Sequence, residues 1–344
     1  MALSAVACKG MITSYFMFSV RHNELRRNQL IFDNVGNPQN LNLLLYYLKV
    51  MKIHALDSLV RYRATFKNWL TVIIFLLLNK KNFVGILRIT NSKIILQNRI
   101  HSWLVSYGVL AEFDKENESI SFKYDGRTLI FKGAINNGDL AEVFGAEEFK
   151  NLRMKHDTVV DIGANIGDSS VYFAIEFGKV YAIEPFPSSF KYIPINAKIN
   201  GLEDKIVPLN FAVGPSSNYI YISDEIENST NLTANKTQGT FKVKVVTLSE
   251  IVKEYFIPKQ SLLKIDCEGC EYEIFNSVKK ETLNVFNEII IECHKSFKMC
   301  RLLANKINEL GYQVVLSRKE FKTGYIHAIS KIDGGLALPT IRKD

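Results

Sequence analysis

Four short stretches place glycines, acids or a histidine directly after an apolar run, the arrangement that collects reactive groups along one rim of a sheet. The first is Asp161-Ile162-Gly163-Ala164-Asn165-Ile166-Gly167. Gly163 frees the backbone to approach a ligand closely, and Gly167 allows the following helix to pack tightly on its strand. The start of that helix offers unpaired N–H groups and a partial positive charge. The spacing departs from G-x-G-x-x-G, because Asn165 stands where a nicotinamide-binding loop wants a glycine. The second stretch is Glu184-Pro185-Phe186. A carboxylate about twenty residues past a glycine loop accepts hydrogen bonds from ribose hydroxyls, with Phe186 flanking a purine. The third is Asp266-Cys267-Glu268-Gly269-Cys270-Glu271; so many acids at a strand end are uncommon in a buried sheet unless they serve a site. The fourth is Cys293-His294, whose imidazole, near neutral in ordinary surroundings, is suited either to take a proton from a hydroxyl or to sit as a hydrogen-bonded rim histidine.

The elements that must position these groups alternate. Strands are expected at 158–162, 179–183, 205–212, 261–265 and 287–292, and helices at 168–177, 187–200, 271–278 and 296–310. Thr247 and Glu250 make a capping box for a further helix. Residues 312–316 and 325–330 read as a closing hairpin, and 215–246 as an insertion with strands at 219–222 and 241–246. Such alternation implies a mainly parallel sheet covered on both faces. Upstream, 41–78 reads as a helix broken once, and 84–96 as a hairpin around Asn91-Ser92. A second hairpin is expected around Asp125-Gly126, and a short helix after Asp139. Residues 1–50 carry no firm pattern.

Taken together, Val160 to Gly167, Ile183-Glu184-Pro185, Lys264 to Glu271 and Ile290-Ile291-Glu292 resemble the FkbM-type methyltransferase family in order and spacing. The resemblance covers residues 138–332, roughly half the chain. It implies an α/β fold of the class I, Rossmann-like kind. That fold has a seven-stranded, mostly parallel sheet whose last strand is antiparallel, here preceded by a helical and β-hairpin N-terminal region. It also implies S-adenosyl-L-methionine (SAM) as cofactor and O-methylation of a sugar, glycan or small metabolite. Asp161, Gly163, Asn165 and Gly167 are then assigned to the methionine end of SAM, Glu184 to its ribose and Phe186 to its adenine. Asp266, Glu268 and His294 are assigned to the reacting rim, with His294 or Asp266 as proton acceptor. The domains expected are 1–50, an ill-defined segment; 51–137, helical with a hairpin; 138–332, the methyltransferase domain; and a tail, 333–344.

Composition narrows the alternatives. The five cysteines are an odd, low count for a chain of 344 residues, which argues against a secreted disulfide framework and fits a cytoplasmic protein. Cys267 and Cys270 form a C-x-x-C that Cys293 and His294 would complete as a four-ligand set. With no second C-x-x-C the spacing is expected to be incidental and no metal site is expected. A divalent ion on Asp266, Glu268 or Glu292 is compatible with the sequence but not required by it. Lys9 interrupts the apolar stretch at 2–20 and no basic segment precedes it, so no signal peptide is expected. The N-x-Ser/Thr triplets at Asn117, Asn228, Asn231 and Asn235 matter only on export, and 228–237 reads as a polar surface loop.

Residues 61–100 hold eight Lys/Arg and no acid, a field that attracts anions. Within them the ten apolar residues from Trp69 to Leu78 are about half a membrane span, which suits a core helix or one lying on the inner face of a membrane. A nucleic-acid methyltransferase is the competing enzyme, disfavoured by the absence of an Asn/Asp-Pro-Pro-Tyr/Phe tetrapeptide. A non-catalytic scaffold at a membrane is the competing class, disfavoured by the intact glycine loop.

Overall fold

In the computed structural model, residues 53–331 are described, apart from 79, 81, 98, 115, 134–138, 147, 151, 153, 223–233, 236–240 and 319–323. The N-terminal segment 1–50, the tail 333–344 and most of the polar loop 228–237 therefore lie outside the described residues. The chain forms two compact units, Met1–Gly108 and Val109–Asp344.

The first unit contains α1 (Ile53–Thr65), α2 (Trp69–Leu77), the antiparallel strands β1 (Phe83–Ile86) and β2 (Lys93–Leu96), and α3 (Arg99–Ser106). The helix expected over 41–78 breaks at Phe66–Asn68. Phe66, Val72, Phe83, Leu96 and Val105 form the small core. Asn68 stands in for a neighbouring strand: its Nδ2 donates to Val84 O and its Oδ1 accepts from Ile86 N, both at 2.8 Å. The hairpin turns at Asn91, which takes the positive φ of 58° that asparagine tolerates. Helix α2 buries only Val72 and Ile73, and among the described residues no helix is long and apolar enough to cross a membrane.

The second unit opens with a three-stranded antiparallel sheet, β3 (Ala111–Asp114), β4 (Ser119–Tyr124) and β5 (Arg127–Lys132), followed by α4 (Asp139–Phe144). The central elements follow: β6 (Thr158–Ile162), α5 (Asp168–Glu176), β7 (Lys179–Ile183), α6 (Pro187–Phe190), α7 (Tyr192–Ile199) and β8 (Ile206–Leu209). Next come the short strands β9 (Ala212–Val213), β10 (Asn218–Ile222), β11 (Ala234–Asn235) and β12 (Phe241–Val246). The unit closes with α8 (Leu248–Glu254), β13 (Ser261–Ile265), α9 (Cys270–Ser277), α10 (Lys280–Leu283), β14 (Phe286–Cys293), α11 (Phe297–Glu309), β15 (Tyr312–Arg318) and β16 (Gly324–Ser330).

Seven strands form the central sheet in the order β15-β16-β14-β13-β6-β7-β8. β8, β7, β6, β13 and β14 run parallel, and β16 is antiparallel to both neighbours. This is the sheet that the resemblance implied. Every residue of β6 and β13 is buried, as befits strands covered on both faces. Three local departures have physical causes. The helix expected over 187–200 divides at Lys191, because Pro194 has no N–H to return to Phe190. The strand expected over 205–212 ends at Leu209; Pro208 lies in the edge strand β8, where a missing donor is tolerated. The insertion forms its own sheet, β11-β10-β12-β9.

The hairpin β4–β5, grouped on sequence with the N-terminal region, packs within the second unit. Asn200 Oδ1 accepts from Ile130 N at 2.9 Å and its Nδ2 donates to Ile130 O at 2.8 Å. Asn196 does the same for Lys132, at 2.8 and 3.1 Å, and also donates to Ile166 O in the glycine loop at 2.8 Å. Phe122 stacks on Phe131 across the hairpin, and both meet the Phe144 ring at a tilt.

At the far side of β14, Glu288 is fully buried. Its Oε2 meets His156 Nε2 at 2.8 Å and accepts from Met154 N at 3.3 Å, while its Oε1 meets His327 Nε2. The carboxylate therefore joins β14, β16 and the segment before β6. Glu288→Ala leaves two imidazoles facing a void and is expected to cost about 3–5 kcal/mol, read as a lowered urea midpoint. A loss under about 1 kcal/mol, the size of an exposed ion pair, would refute this role.

Candidate functional site

The chain leaves β6 through Asp161 and Ile162 and turns at Gly163, whose φ is 77°. Gly163 N and Ala164 N both donate to Ile183 O, at 2.9 and 3.0 Å, locking the loop onto β7. A Cβ on Gly163 would stand 1.7 Å from Asp266 O. The glycine thus admits the backbone that leaves β13; a ligand was expected there. Gly167, with φ 88°, begins α5 in the left-handed region, and its Cα faces Ile193 on α7, not the strand it was expected to pack against.

Asp161 is likewise turned inward. It is 0% exposed; its Oδ2 accepts from Ser169 Oγ at 2.7 Å and Ser170 Oγ at 2.6 Å, and Lys264 Nζ lies 3.1 Å from its Oδ1. Lys264 projects from the middle of β13, donates to Gly163 O at 2.8 Å and stands 3.8 Å from Asp266. Burial alone would loosen its proton, but Asp161 and Asp266 outweigh burial and hold the ammonium more firmly than usual. One buried cation therefore joins β6, the glycine loop and the end of β13.

Asn165 adopts φ 49°. Its side chain donates to Asp139 Oδ2 and its backbone N to Glu184 Oε2, both at 2.9 Å. Glu184 also accepts from Phe186 N at 2.9 Å and is 5% exposed. Desolvation outweighs these two donors and raises its carboxyl to about 7. Phe186 is half-buried and packs against the cluster of Ala212, Ile222, Val243 and Val245.

The rim beyond β13 and β14 is acidic. His294 Nε2 lies 3.3 Å from Asp266, 3.7 Å from Glu292 and 3.8 Å from Glu268. Fully buried Glu271 accepts from His294 N at 2.9 Å and from Gly269 N at 2.8 Å, so it holds the 266–271 turn to the end of β14. Burial by itself would strip the imidazolium of its proton, but Glu271, Asp266, Glu268 and Glu292 reverse this and raise His294 to about 10. The near-neutral titration expected of a proton acceptor is therefore absent: at neutral pH His294 is a cation. Glu268, although its side chain is 57% exposed, is raised by partial desolvation at the rim, with Asp266 and neighbouring acids adding to it against His294.

A narrow cleft lies along this rim, lined among others by Asp139, Glu142, Gly163, Asp168, Lys264, Asp266 and Glu292. Asp168 is 2% exposed, its Oδ2 has no hydrogen-bond partner, and desolvation raises its carboxyl well above the ordinary value. Desolvation, with Asp266 and Glu142, raises Asp139 to about 6. Two sets of ligand atoms lie within 4.8 Å of one another, Asp266 with Glu292 and His294, and Glu142 with Glu148 and Glu292. The second, all carboxylate, has the oxygen-rich chemistry of a site for a hard divalent ion; the first includes His294, which as a cation has no lone pair to offer.

The structure thus brings Asp266, Glu268 and His294 together and joins Asn165 to Glu184, while Asp161 and Gly163 serve the frame. Glu271 was read from sequence only as one acid of the 266–271 stretch, and Lys264, Asp168 and Asp139 were given no part in the site. Of these three, Lys264 alone gave a local sign, a cation inside the run Leu262-Leu263-Lys264-Ile265. The cysteines also depart from expectation: Cys267 pairs with Cys270 and Cys293 with Cys300, with Cα separations of 5.5 and 5.7 Å, the spacing of disulfides. They do not converge with His294 as one metal set.

Strand order and rim define a class I methyltransferase fold. Residues 161–314 match the family described as Methyltransferase FkbM domain. It is similar to a hexuronic acid methyltransferase of Haloferax volcanii, 26% identical over 40% of this chain and 56% of that protein. The chain thus spans little more than half of that relative. A methyltransferase of Sordaria araneosa is 23% identical over 47% of this chain and 76% of its own length. Among solved structures, Aeropyrum pernix fibrillarin with bound S-adenosyl-L-methionine covers 72% of this chain and 93% of its own at 11% identity and a TM-score of 0.39.

Proposed function

We propose that this chain is a SAM-dependent methyltransferase that places the methyl group on a hydroxyl of a sugar or small metabolite. The observation that carries the reading is the meeting, on one rim of this sheet, of the glycine loop, Glu184 and the Asp266–Glu268–His294 group. The residues present suit the cofactor. Asp168 Oδ2 is a buried acceptor without a donor beside Gly163, matched to the ammonium of the methionine end. Each Glu184 oxygen takes one backbone N–H and keeps a lone pair for a ribose hydroxyl. When bound, SAM supplies a methyl already activated on sulfonium.

The chain's own task is to align the acceptor, exclude water and take its proton. His294, a cation, orients the acceptor oxygen by donating to it. Glu268, whose carboxyl binds a proton more readily than usual, takes the proton, and Asp266 fixes the acceptor against the loop. The sugar acceptor draws support from the Haloferax relative's name. The acidic rim favours a neutral hydroxyl-bearing acceptor over a free hexuronate.

Calorimetric titration with S-adenosylhomocysteine tests the cofactor site. Micromolar binding is expected, weakened about tenfold or more in Glu184→Gln, since each ribose hydrogen bond to a charged acceptor contributes about 1.5–3 kcal/mol. The ionised carboxylate accepts from both hydroxyls with full charge, whereas the acid accepts more weakly and turns one oxygen into a donor, so affinity in the native protein should rise as pH climbs through about 7 and level off above it. Glu184→Gln should lose the part of this rise that belongs to Glu184 and show a shallower dependence over the same range. A folded protein that binds no S-adenosylhomocysteine at any pH sinks the reading.

A further inference from the structure

The first unit, residues 1–108, holds fourteen Lys/Arg and three Asp/Glu, and the remainder twenty-nine and thirty-two. The unit's formal charge is thus +11 against −3 for the rest, so the chain's whole positive excess resides in the part that the methyl-transfer reading does not use.

That unit also leaves an apolar sheet face open. In the β1–β2 hairpin, Phe83 and Leu96 face the core, while Val84 pairs with Ile95 and Ile86 with Lys93 on the other face. Val84 is 42% exposed and Ile95 57%, and Ile89 in the turn beyond them is 97% exposed. Lys93 borders these side chains and is exposed, as is Lys80 just before β1. Lys67 Nζ donates to Asn91 Oδ1 at 2.7 Å, fixing the turn to the chain between α1 and α2. Aliphatic side chains ringed by lysines on a pinned turn match the boundary between acyl chains and anionic headgroups.

We propose that the first unit docks on an anionic phospholipid surface through the outer face and turn of this hairpin. Two other occupants fit less well. Residues 1–50 carry five Lys/Arg and two acids, so they repel the patch electrostatically. A nucleic-acid strand would meet aliphatic groups where it needs aromatic rings for its bases. The proposal is independent of the methyl-transfer reading, and S-adenosylhomocysteine affinity measured alongside keeps the two distinguishable.

The test is flotation of the full chain with vesicles of phosphatidylcholine alone and of equal parts phosphatidylcholine and phosphatidylglycerol. Binding is expected to the mixed vesicles only, falling steeply with added salt. Ile89→Asp with Ile95→Asp, and separately Lys80→Glu with Lys93→Glu, should each reduce it about tenfold or more. All four positions are exposed, so unchanged circular dichroism and S-adenosylhomocysteine affinity are expected in both variants. Absence of flotation, flotation indifferent to both pairs of substitutions, or retention of RNA or DNA without retention of vesicles would each overturn the proposal.

Discussion

Gly163→Ala is expected to lose on the order of 3 kcal/mol or more of folding stability and, with it, the shape of the rim. Two effects add. The backbone sits at φ 77°, where a β-carbon is strained. The new methyl would also fall 1.7 Å from Asp266 O, well inside van der Waals contact. Because Asp266 N donates to Ile162 O at 2.9 Å, the turn after β13 cannot retreat without breaking the bond that seats it beside β6. Gly167 provides the comparison. It shares the left-handed conformation, but a Cβ there would first meet an atom at 3.4 Å, so Gly167→Ala should cost only the backbone strain, about 1–2 kcal/mol. Denaturant unfolding of both variants decides the matter. Equal losses would mean that the approach of the two loops is looser than the geometry has it.

Lys264→Met is expected to cost about 3–5 kcal/mol, as much as the loss of Glu288. The substitution keeps most of the buried apolar stem and removes the ammonium, with its charge and its N–H donors. Asp161 would remain 0% exposed with two serine hydroxyls and no cation, and Gly163 O would lose its donor. Removing the stranded charge as well should repair part of the loss: Lys264→Met with Asp161→Asn is expected to be more stable than Lys264→Met alone. Strict additivity of the two substitutions would show that the ion pair is not the source of the effect.

The frame of the site was legible from sequence because the sheet writes itself as apolar runs. Asp161 lies in β6, and Glu184, Asp266 and His294 directly follow β7, β13 and β14, where the alternation had put them. What was not legible depends on partners distant in the chain. Nothing near Asp161 says that Lys264 will neutralise it, so a framing carboxylate looks like a ligand contact. Nothing near His294 says that four carboxylates will gather around it, so its proton is held far more tightly than an isolated imidazole would hold it. Cys293 and Cys300 meet only because α11 folds back on the end of β14. The hairpin at 120–131 reads correctly as a hairpin, but its place beside α7 is set by amide side chains that carry no pattern of their own.

Those amides carry a consequence for the chain's behaviour in a crowded solution. β5 is the outer strand of its sheet, and an outer strand with open N–H and C=O groups is a template for a stray chain. Asn196 and Asn200 fill that place with side chains. Four residues of helix advance about 6 Å, close to the step of about 6.8 Å between alternate strand residues, so two asparagines four apart on α7 reach two successive bonding sites on β5. A helix so equipped acts as a dummy strand that cannot itself be extended, and the sheet ends there without recruiting another molecule.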